Sequence, residues 1–295
     1  MALPKAGVYH KIRMRGAPRR VLHTSRGRIL SSRSEATLAM PLPVLSLLFV
    51  RHGETTANRD GVLQGHQNYN LTNLGERQAK VTGERLSRKR FWQAHSSDLV
   101  RASRTAEIIV QAHPGLELRT SPLLREFSLG VLEDLPRGTS REEALRIKAK
   151  KAGVPVEEFQ APRSEKKADV ERRAQQFLDS LLDEARRGRT HDTAERSVPE
   201  GNPGTEDEVP VALIVSHGGF IHTMLSRVLG LGNEVPLPSN CSISVVNVHE
   251  RGTGDGQEDG TRGGVSYVPQ VLDDNAHMVE ADLAVVNRVE NLDVR

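Results

Sequence analysis

Cysteine and long apolar runs are nearly absent from this sequence. Its 295 residues include one cysteine, Cys241, which excludes an intramolecular disulfide framework and favours a reducing compartment. The strand-like context Asn-Cys-Ser-Ile-Ser predicts that Cys241 is a buried small residue rather than a reactive thiol. No apolar run approaches the ~18 residues of a membrane-spanning helix, so we expect no membrane span.

Negative charge is scarce at the amino terminus. Residues 1–44 carry nine Lys and Arg but one acid, Glu35, whereas the remainder holds 32 basic and 37 acidic residues. That remainder is net acidic, so no nucleic-acid-binding domain is expected. We interpret residues 1–43 as a disordered basic leader, and its Arg- and Ser-rich composition is typical of mitochondrial targeting segments. The alternatives are a plain extension or a true start at Met14 or Met40.

Two short apolar runs, at 44–50 and 211–215, are typical of strands buried on both faces of a sheet. Other strand-like segments alternate with segments whose apolar residues recur at helical spacing. This alternation predicts an α/β fold, a three-layer αβα sandwich with a mainly parallel central sheet. The predicted strands are 44–50, 91–95, 116–120, 211–215, 242–248 and 265–271, and the predicted helices are 72–89, 99–112, 140–151, 168–186 and 220–229.

Composition sets the expected boundaries of this domain. We assign residues 44–275 to one α/β domain and residues 276–295 to a C-terminal tail. Residues 188–208 or thereabouts contain Gly, Pro, Thr and charged residues with almost nothing apolar, which predicts a solvated polar insertion. The stretch at about 249–264 is rich in Gly and Asp and predicts a loop between two strands.

Each of the two buried strands ends at a histidine followed by glycine. His52-Gly53 follows the first strand, and His217-Gly218 follows the second. Ligands bind at the carboxyl ends of strands in open α/β sheets, so both histidines should reach the same edge. A single His-Gly pair in this position is more often structural, but two in matching context predict a functional site.

Arginines provide the positive charge that a phosphate site needs. Arg51 directly follows the first strand, and Arg101 opens a helix after a strand and turn. A guanidinium is a planar fork that matches phosphate oxygens and keeps its charge. Neutral His52 could act as the nucleophile, while Arg51, Arg101 and His217 neutralise the charge on the phosphoryl oxygens. Arg104 is equally well explained as a solvated surface residue.

A proton donor for the leaving oxygen is less clearly marked. Glu126 follows a predicted strand and lies between apolar neighbours, which suits a general acid, although a surface ion pair explains the pattern as well. Metal catalysis has little support, because no His-Glu-x-x-His spacing occurs and residues 255–259 lack the spacing of a calcium loop. The sequence therefore predicts neither a metal nor a cofactor.

Together these motifs resemble the histidine phosphatase (phosphoglycerate mutase-like) superfamily, in order and spacing, over about residues 46–250. The resemblance implies a phosphoglycerate mutase-like fold. The segments that carry it are 51–55, Asn58, 64–65, 71–75, 96–102, 124–126 and 216–219.

The resemblance also implies a role for each matched residue. It implies that His52 is phosphorylated, and that Glu126 protonates the leaving oxygen and then activates the water that cleaves phosphohistidine. Arg51 and His217 are implied to share in catalysis. The residues implied to bind the transferring phosphoryl group are Arg51, Asn58, Gly65, Arg101, His217 and Gly218.

Softer features resemble the fructose-2,6-bisphosphatase branch of the superfamily, namely the arrangement around 124–130, the helix after it and the polar insertion. They imply a cytoplasmic phosphatase of fructose 2,6-bisphosphate that lowers glycolytic flux, with mitochondrial targeting if the leader directs it there. Residues 161–167 depart from the Gly-Gly-Glu-Ser/Thr-like segment of many relatives, which leaves the substrate open.

The competing readings are a phosphoglycerate mutase, a phosphatase of 2,3-bisphosphoglycerate or phosphoglycolate, and a weakly active interaction protein of the same fold. In the enzymatic readings the partner is a small phosphorylated metabolite. Protein partners and oligomeric state stay open.

Overall fold

The computed structural model describes residues 43–195, 209–250 and 264–283, which belong to one compact unit spanning Pro41–Arg295. Residues 1–42 of the expected leader lie outside the described residues. So do 196–208 of the expected insertion and 251–263 of the expected Gly/Asp-rich loop.

Six strands form one mixed sheet: β1 (Leu45–Arg51), β2 (Gln93–Ser97), β3 (Leu118–Ser121), β4 (Val211–Ser216), β5 (Ile243–Glu250) and β6 (Val265–Asp274). Their order across the sheet is β3-β2-β4-β1-β5-β6. The first four of these are mutually parallel, whereas β5 runs antiparallel to β1 and β6 antiparallel to β5. The predicted mainly parallel sheet is confirmed.

The helices are α1 (Thr56–Arg59), α2 (Asn73–Leu86), α3 (Val100–Val110), α4 (Arg141–Ala152), α5 (Lys167–Glu195), α6 (Gly218–Thr223) and α7 (Ala276–Glu280). Short 3-10 turns lie at Pro122–Leu124, Gly130–Leu132 and Val156–Glu158, and α6 continues into a π-helical turn, Met224–Val228. The predicted N-cap of α2 is confirmed, since the Thr72 hydroxyl accepts the Gly75 N–H. No helix in the described ranges is long and apolar enough to cross a membrane.

Helices cover both faces of the sheet because the side chains of β1 alternate between two cores. Phe49 packs in the core that contains Phe177 of α5. Val50 packs in the opposite core with Leu86 of α2 and Ile109 of α3. All seven residues of β1 are buried, as the continuous apolar run predicts for a central strand. The three-layer αβα arrangement is therefore confirmed, and packing on both faces fixes the positions of the ends of β1 and β4.

The register of β1 and β4 brings the two histidine segments to one edge. The strands pair in parallel with Arg51 opposite Ser216, the last residue of each strand. The pairing continues one residue further, because the His52 N–H donates to the Ser216 carbonyl at 2.9 Å. His52 and His217 consequently leave neighbouring strands at the same point.

The expected polar insertion begins later than its composition suggested. Helix α5 continues to Glu195 instead of ending near residue 186. One glycine, Gly188, costs a helix only about 1 kcal/mol relative to alanine, and the arginines around it are good helix formers. Polarity alone therefore did not mark the end of the helix.

The expected C-terminal tail also needs correction. Ala276–Glu280 forms α7, and Met278 and Leu283 are buried in a small cluster with Ala79 of α2. The Gln78 side-chain amide donates to the Leu283 carbonyl at 3.0 Å. Two apolar side chains and one buried amide thus attach residues 276–283 to the domain, a signal too sparse for periodicity to reveal.

Candidate active site

The two predicted histidines lie side by side at the carboxyl edge of the sheet. Their ring centroids are 5.1 Å apart, with a 60° angle between the planes. Both are almost fully buried, with exposures of 2% for His52 and 0% for His217. The predicted pairing of the two strand ends is therefore present in the structure.

The hydrogen bond of His52 fixes which ring nitrogen can react. Its Nδ1 lies 2.7 Å from the Gly53 carbonyl oxygen. A carbonyl can only accept, so Nδ1 carries the hydrogen and Nε2 keeps its lone pair. Burial, followed by the charges of Arg101 and Arg51, lowers the pKa of His52 well below 6.5. The imidazole is therefore neutral at neutral pH, with Nε2 free to act as a nucleophile.

Two buried arginines flank the histidine. Arg51 ends β1 and donates through Nη1 to the Pro238 carbonyl at 2.8 Å. Arg101, the second residue of α3, donates to the carbonyls of Gln67 and Gly65, each at 2.8 Å. Burial lowers the pKa of both guanidinium groups to about 10, so both stay charged at neutral pH.

The two arginines and His217 each keep one buried nitrogen without a hydrogen-bond partner among the described residues. Arg51 Nε, Arg101 Nε and His217 Nδ1 are buried and have no hydrogen-bond partner among the described residues. A buried polar atom without a partner costs about 1–3 kcal/mol, so three of them around one histidine call for an explanation. Two of the three are cationic donors, and an anion beside His52 would satisfy them.

Asn58 and Gly65 lie on the segment that follows β1. Thr55 and Asn58 form a capping box at the start of α1, which occupies Asn58 Oδ1 and the Asn58 N–H. The half-buried Asn58 keeps its side-chain NH₂ for another acceptor. Gly65 has φ +50°, and a Cβ at this position would lie 2.2 Å from Glu133 Oε1. Only glycine can present its carbonyl to Arg101 here.

Glu126 reaches this site from the loop after β3. Its Oε2 accepts the Gly219 N–H at 3.0 Å, and its Oε1 accepts the N–H groups of Phe127 at 3.0 Å and Phe220 at 3.1 Å. Its negative charge opposes the effect of burial on the pKa of Arg51 and of Arg101, so the carboxylate lies close enough to both guanidinium groups to interact with them electrostatically. The sequence pattern left a surface ion pair open for Glu126, whereas the structure places its carboxylate on the Gly219 and Phe220 amides, in the turn that follows His217.

The two glycines after His217 make this approach possible. A Cβ on Gly219 would lie 2.6 Å from Glu126 Oε1. A Cβ on Gly218 would lie 3.4 Å from Arg51 Nε, so the guanidinium packs against the Gly218 backbone. Ring contact, packing, a hydrogen bond and charge effects connect seven of the eight residues that the sequence predicted: Arg51, His52, Gly65, Arg101, Glu126, His217 and Gly218. The eighth, Asn58, lies on α1, where its side chain contacts Thr55.

Two supporting hydroxyls were not predicted. Ser97, the last residue of β2, hydrogen-bonds His217 Nε2 at 2.8 Å. Thr105 accepts the Gly53 N–H at 3.0 Å and donates to the Arg101 carbonyl at 2.7 Å. Ser97 ends a strand as the histidines do, and Thr105 follows Arg101 by one helical turn. The strand end at Ser97 and the one-turn spacing of Thr105 from Arg101 are sequence features from which both residues could have been predicted.

The segment before β5 was missed for a different reason. Besides the Pro238 carbonyl on Arg51, the Asn240 side-chain amide donates to the His52 carbonyl at 2.8 Å. These contacts join residues that are 187 and 188 positions apart in the chain. No local sequence pattern predicts such a contact, because only the pairing of strands in the sheet brings the end of β1 and the segment before β5 together.

Two other arginines of the motifs lie outside the site. Arg104 is 44% exposed and pairs with Glu76 at 3.3 Å and Glu107 at 3.4 Å. Arg125 forms a two-pronged pair with Asp98, at 2.7 and 2.6 Å. The surface interpretation of Arg104 is therefore the right one.

The arrangement supplies a nucleophile, positive charge and a carboxylate within one edge of the sheet. Among the described residues, no group of three or more His, Cys, Asp and Glu side chains is placed to hold a metal ion. A neutral imidazole beside two guanidinium groups is suited to in-line attack on a phosphate ester. Fold and site are those expected of an enzyme that transfers phosphoryl groups.

Comparison with known proteins agrees with this class. The model of the histidine phosphatase superfamily (branch 1) matches residues 47–254, and the chain belongs to that superfamily. The probable phosphoglycerate mutase GpmB of Yersinia enterocolitica is 34% identical over 212 residues, which cover 70% of this chain and 86% of the relative.

Solved structures share the fold. A mycobacterial glucosyl-3-phosphoglycerate phosphatase is 25% identical with a TM-score of 0.54, covering 77% of this chain and 98% of that one. A phosphoglycerate mutase of Bacillus anthracis is 22% identical with a TM-score of 0.55, covering 81% and 96%. This chain is thus a phosphatase- or mutase-like enzyme of the superfamily.

Proposed function

We propose that this protein is a phosphatase that hydrolyses a small phosphorylated metabolite through a phosphohistidine on His52. The observation that carries the proposal is the geometry around His52. Its Nδ1–H is held by the Gly53 carbonyl, which leaves the Nε2 lone pair free. Arg51 and Arg101 are close enough for their charges to lower the pKa of His52, and each keeps a buried Nε without a partner among the described residues. A dianionic phosphate ester fits both features.

In the first step, His52 Nε2 attacks phosphorus in line with the ester oxygen. The N–P bond forms as the P–O ester bond breaks, and the protonated form of Glu126 gives its proton to the leaving oxygen. Arg51 and Arg101 neutralise the charge on the equatorial oxygens, with Asn58 and His217 as further hydrogen-bonding groups. The alcohol product then leaves.

In the second step, water replaces the alcohol. The Glu126 carboxylate takes a proton from water, whose oxygen attacks phosphorus as the N–P bond breaks. Inorganic phosphate departs and His52 is neutral again. One carboxyl group thus serves as acid and then as base, which requires it to reach both the leaving oxygen and the water.

For the substrate we propose a metabolite with a second anionic group, with fructose 2,6-bisphosphate as the leading candidate. The softer sequence features, which resemble the fructose-2,6-bisphosphatase TIGAR, favour it. Arg137 is a candidate to bind the second anionic group of such a substrate. It is exposed and has no ion pair with any described residue, and its charge contributes to lowering the pKa of Arg51. The backbone N–H of Arg137 donates to the Gly61 carbonyl at 2.9 Å, which holds the Arg137 backbone beside the segment that contains Asn58 and Gly65.

A second candidate is a mutase or a phosphatase acting on three-carbon phosphates. The relative named as a probable phosphoglycerate mutase, 34% identical, favours it. Phosphoglycerate also carries two anionic groups, so Arg137 does not separate the candidates. They differ in whether water or a substrate hydroxyl receives the phosphoryl group from His52.

The test is phosphate release from a panel of esters in the presence of EDTA, with His52→Ala as the blank. The panel holds fructose 2,6-bisphosphate, 2,3-bisphosphoglycerate, 3-phosphoglycerate, phosphoglycolate and a nitrophenyl phosphate. We expect fructose 2,6-bisphosphate to give a kcat/KM near or above ~10⁴ M⁻¹s⁻¹. Better turnover of a three-carbon ester would replace that substrate. Conversion of 3-phosphoglycerate to its isomer with little phosphate release would identify a mutase. If the wild type releases no more phosphate than the blank with every ester and forms no isomer, the proposed chemistry is wrong.

A further inference from the structure

One largely buried arginine forms hydrogen bonds to the backbone of the loop that contains Glu126. Arg173 of α5 has a side chain that is 12% exposed. Its guanidinium donates to three backbone carbonyls of the segment that leads to Glu126, those of Leu123 at 2.9 Å, Arg125 at 2.6 Å and Glu126 at 2.9 Å. Most of the donors of this side chain therefore serve the backbone on which the carboxylate depends.

The same arginine contacts the segment that receives the carboxylate. Its guanidinium carbon lies 5.3 Å from the centroid of the Phe220 ring, over its face. The Phe220 N–H in turn donates to Glu126 Oε1 at 3.1 Å. Arg173 thus fixes the backbone of Glu126 on one side and the group that orients the Glu126 carboxylate on the other.

Glu165 fixes Arg173 in turn. Its two carboxylate oxygens accept from Arg173 Nε at 3.0 Å and Nη2 at 3.1 Å, a two-pronged pair that sets the plane of the guanidinium. Glu165 also binds Ser128 twice, since its Oε2 accepts the Ser128 N–H at 2.9 Å and its own N–H donates to the Ser128 carbonyl at 2.8 Å. Both ends of the loop are therefore tied to Glu165, one through Arg173 and one directly.

These contacts also explain the segment 161–167, whose sequence departs from the pattern of many relatives. Ser164 donates to the Leu129 carbonyl at 2.9 Å, beside the Glu165–Ser128 bonds. The segment attaches to the loop of Glu126 by its backbone and two side chains.

We infer that Arg173 and Glu165 are positioning residues that hold Glu126 where it can protonate the leaving oxygen. The inference rests on the proposed function, in which Glu126 is the general acid. It makes a prediction that a merely structural role does not make. Weakening the pair should slow esters whose leaving oxygen needs a proton, and should spare esters whose leaving group departs without one.

The test compares an alkyl phosphate with a nitrophenyl phosphate in Glu165→Gln and Arg173→Lys. Glu165→Gln keeps the shape of the side chain and removes its charge, whereas Arg173→Lys keeps the charge and removes the planar fork. The value measured is kcat/KM, which reports the steps up to departure of the leaving group. Arg172→Lys is the matched control, because Arg172 is the preceding residue of α5 and lies 72% exposed in a surface pair with Asp169.

We expect both variants to lower kcat/KM about 10- to 100-fold for the alkyl ester and less than about threefold for the aryl ester. Arg172→Lys should leave both values unchanged. Glu126→Gln is run beside them as the reference for a lost acid. If it shows the leaving-group difference and neither Glu165→Gln nor Arg173→Lys does, the positioning role is refuted. If Glu126→Gln itself slows both esters equally, the acid assignment in the proposed function fails instead.

Discussion

A methyl group at position 219 would displace the candidate acid without straining the backbone. A Cβ there would lie 2.6 Å from Glu126 Oε1 and 3.1 Å from Phe127 Cδ2, whereas ordinary contacts begin near 3.4 Å. The difference between 3.4 and 2.6 Å means that the carboxylate must move by about 0.8 Å or more. That movement breaks at least one of its hydrogen bonds to the Gly219 and Phe220 amides, at 3.0 and 3.1 Å.

The effects on stability and on activity should differ. A hydrogen bond to a charged group contributes about 1.5–3 kcal/mol, but the Glu126 carboxylate can turn to water, and alanine in a helix gains up to about 1 kcal/mol over glycine. We expect Gly219→Ala to change the free energy of unfolding by less than about 2 kcal/mol. A reacting group misplaced by about 1 Å costs up to ~100-fold in rate, and we expect that loss in kcat/KM for an alkyl phosphate.

The assay pairs urea unfolding with kcat/KM for an alkyl and a nitrophenyl phosphate. Gly188→Ala is the matched control, because Gly188 lies in α5 with nothing within 4 Å of an added Cβ. That control should keep full activity and should be as stable as the wild type or more so. An alkyl-phosphate kcat/KM within about threefold of the wild type in Gly219→Ala, or an equal fall for both esters, would refute the reasoning.

Three further outcomes follow from the same geometry. Arg101→Lys should lower kcat/KM for nitrophenyl phosphate at least ~10-fold, because an ammonium cannot hold the Gln67 and Gly65 carbonyls and still present a fork to phosphate; kinetics near the wild-type value would contradict this. Gly65→Ala should destabilise the fold by about 2–4 kcal/mol in urea unfolding, through φ +50° and displacement of the hydrogen-bonded Glu133 carboxylate, so an unchanged midpoint is the contrary result. The pKa of His52 is lowered in the folded state, so below pH 6.5 the unfolded chain binds more protons and the free energy of unfolding falls as the pH falls. His52→Gln should reduce the slope of the free energy of unfolding against pH in this range by up to ~1.4 kcal/mol per pH unit. An unchanged slope would be the contrary result.

The sheet and the position of the two histidines could be predicted because local patterns specify them. Two apolar runs that end in His-Gly predict two buried strands and a common edge, and the structure has both. The observed β2 and β3 begin two residues later than predicted, since Gln93–Ser97 and Leu118–Ser121 are short and weakly apolar. Helix α1 was missed because its four residues are fixed by the capping box of Thr55 and Asn58, not by apolar periodicity.

The support of the acid could not be predicted, because it depends on contacts between distant segments. Arg173 lies 47 residues from Glu126, and Glu165 lies 37 residues from Ser128. In sequence, Arg173 is one of several charged residues on α5, and nothing distinguishes it from the exposed Arg172 before it. Burial separates the two, and burial is decided by how α5 packs on the sheet.

Trapping of the phosphoenzyme tests the central claim most directly. Wild-type protein is mixed with ³²P-labelled ester, quenched in base within one turnover, and digested to locate the label. The account predicts up to one base-stable, acid-labile phosphate per chain, on the peptide that contains His52, and none in His52→Ala. Label on another residue, or full turnover by His52→Ala, would contradict the account.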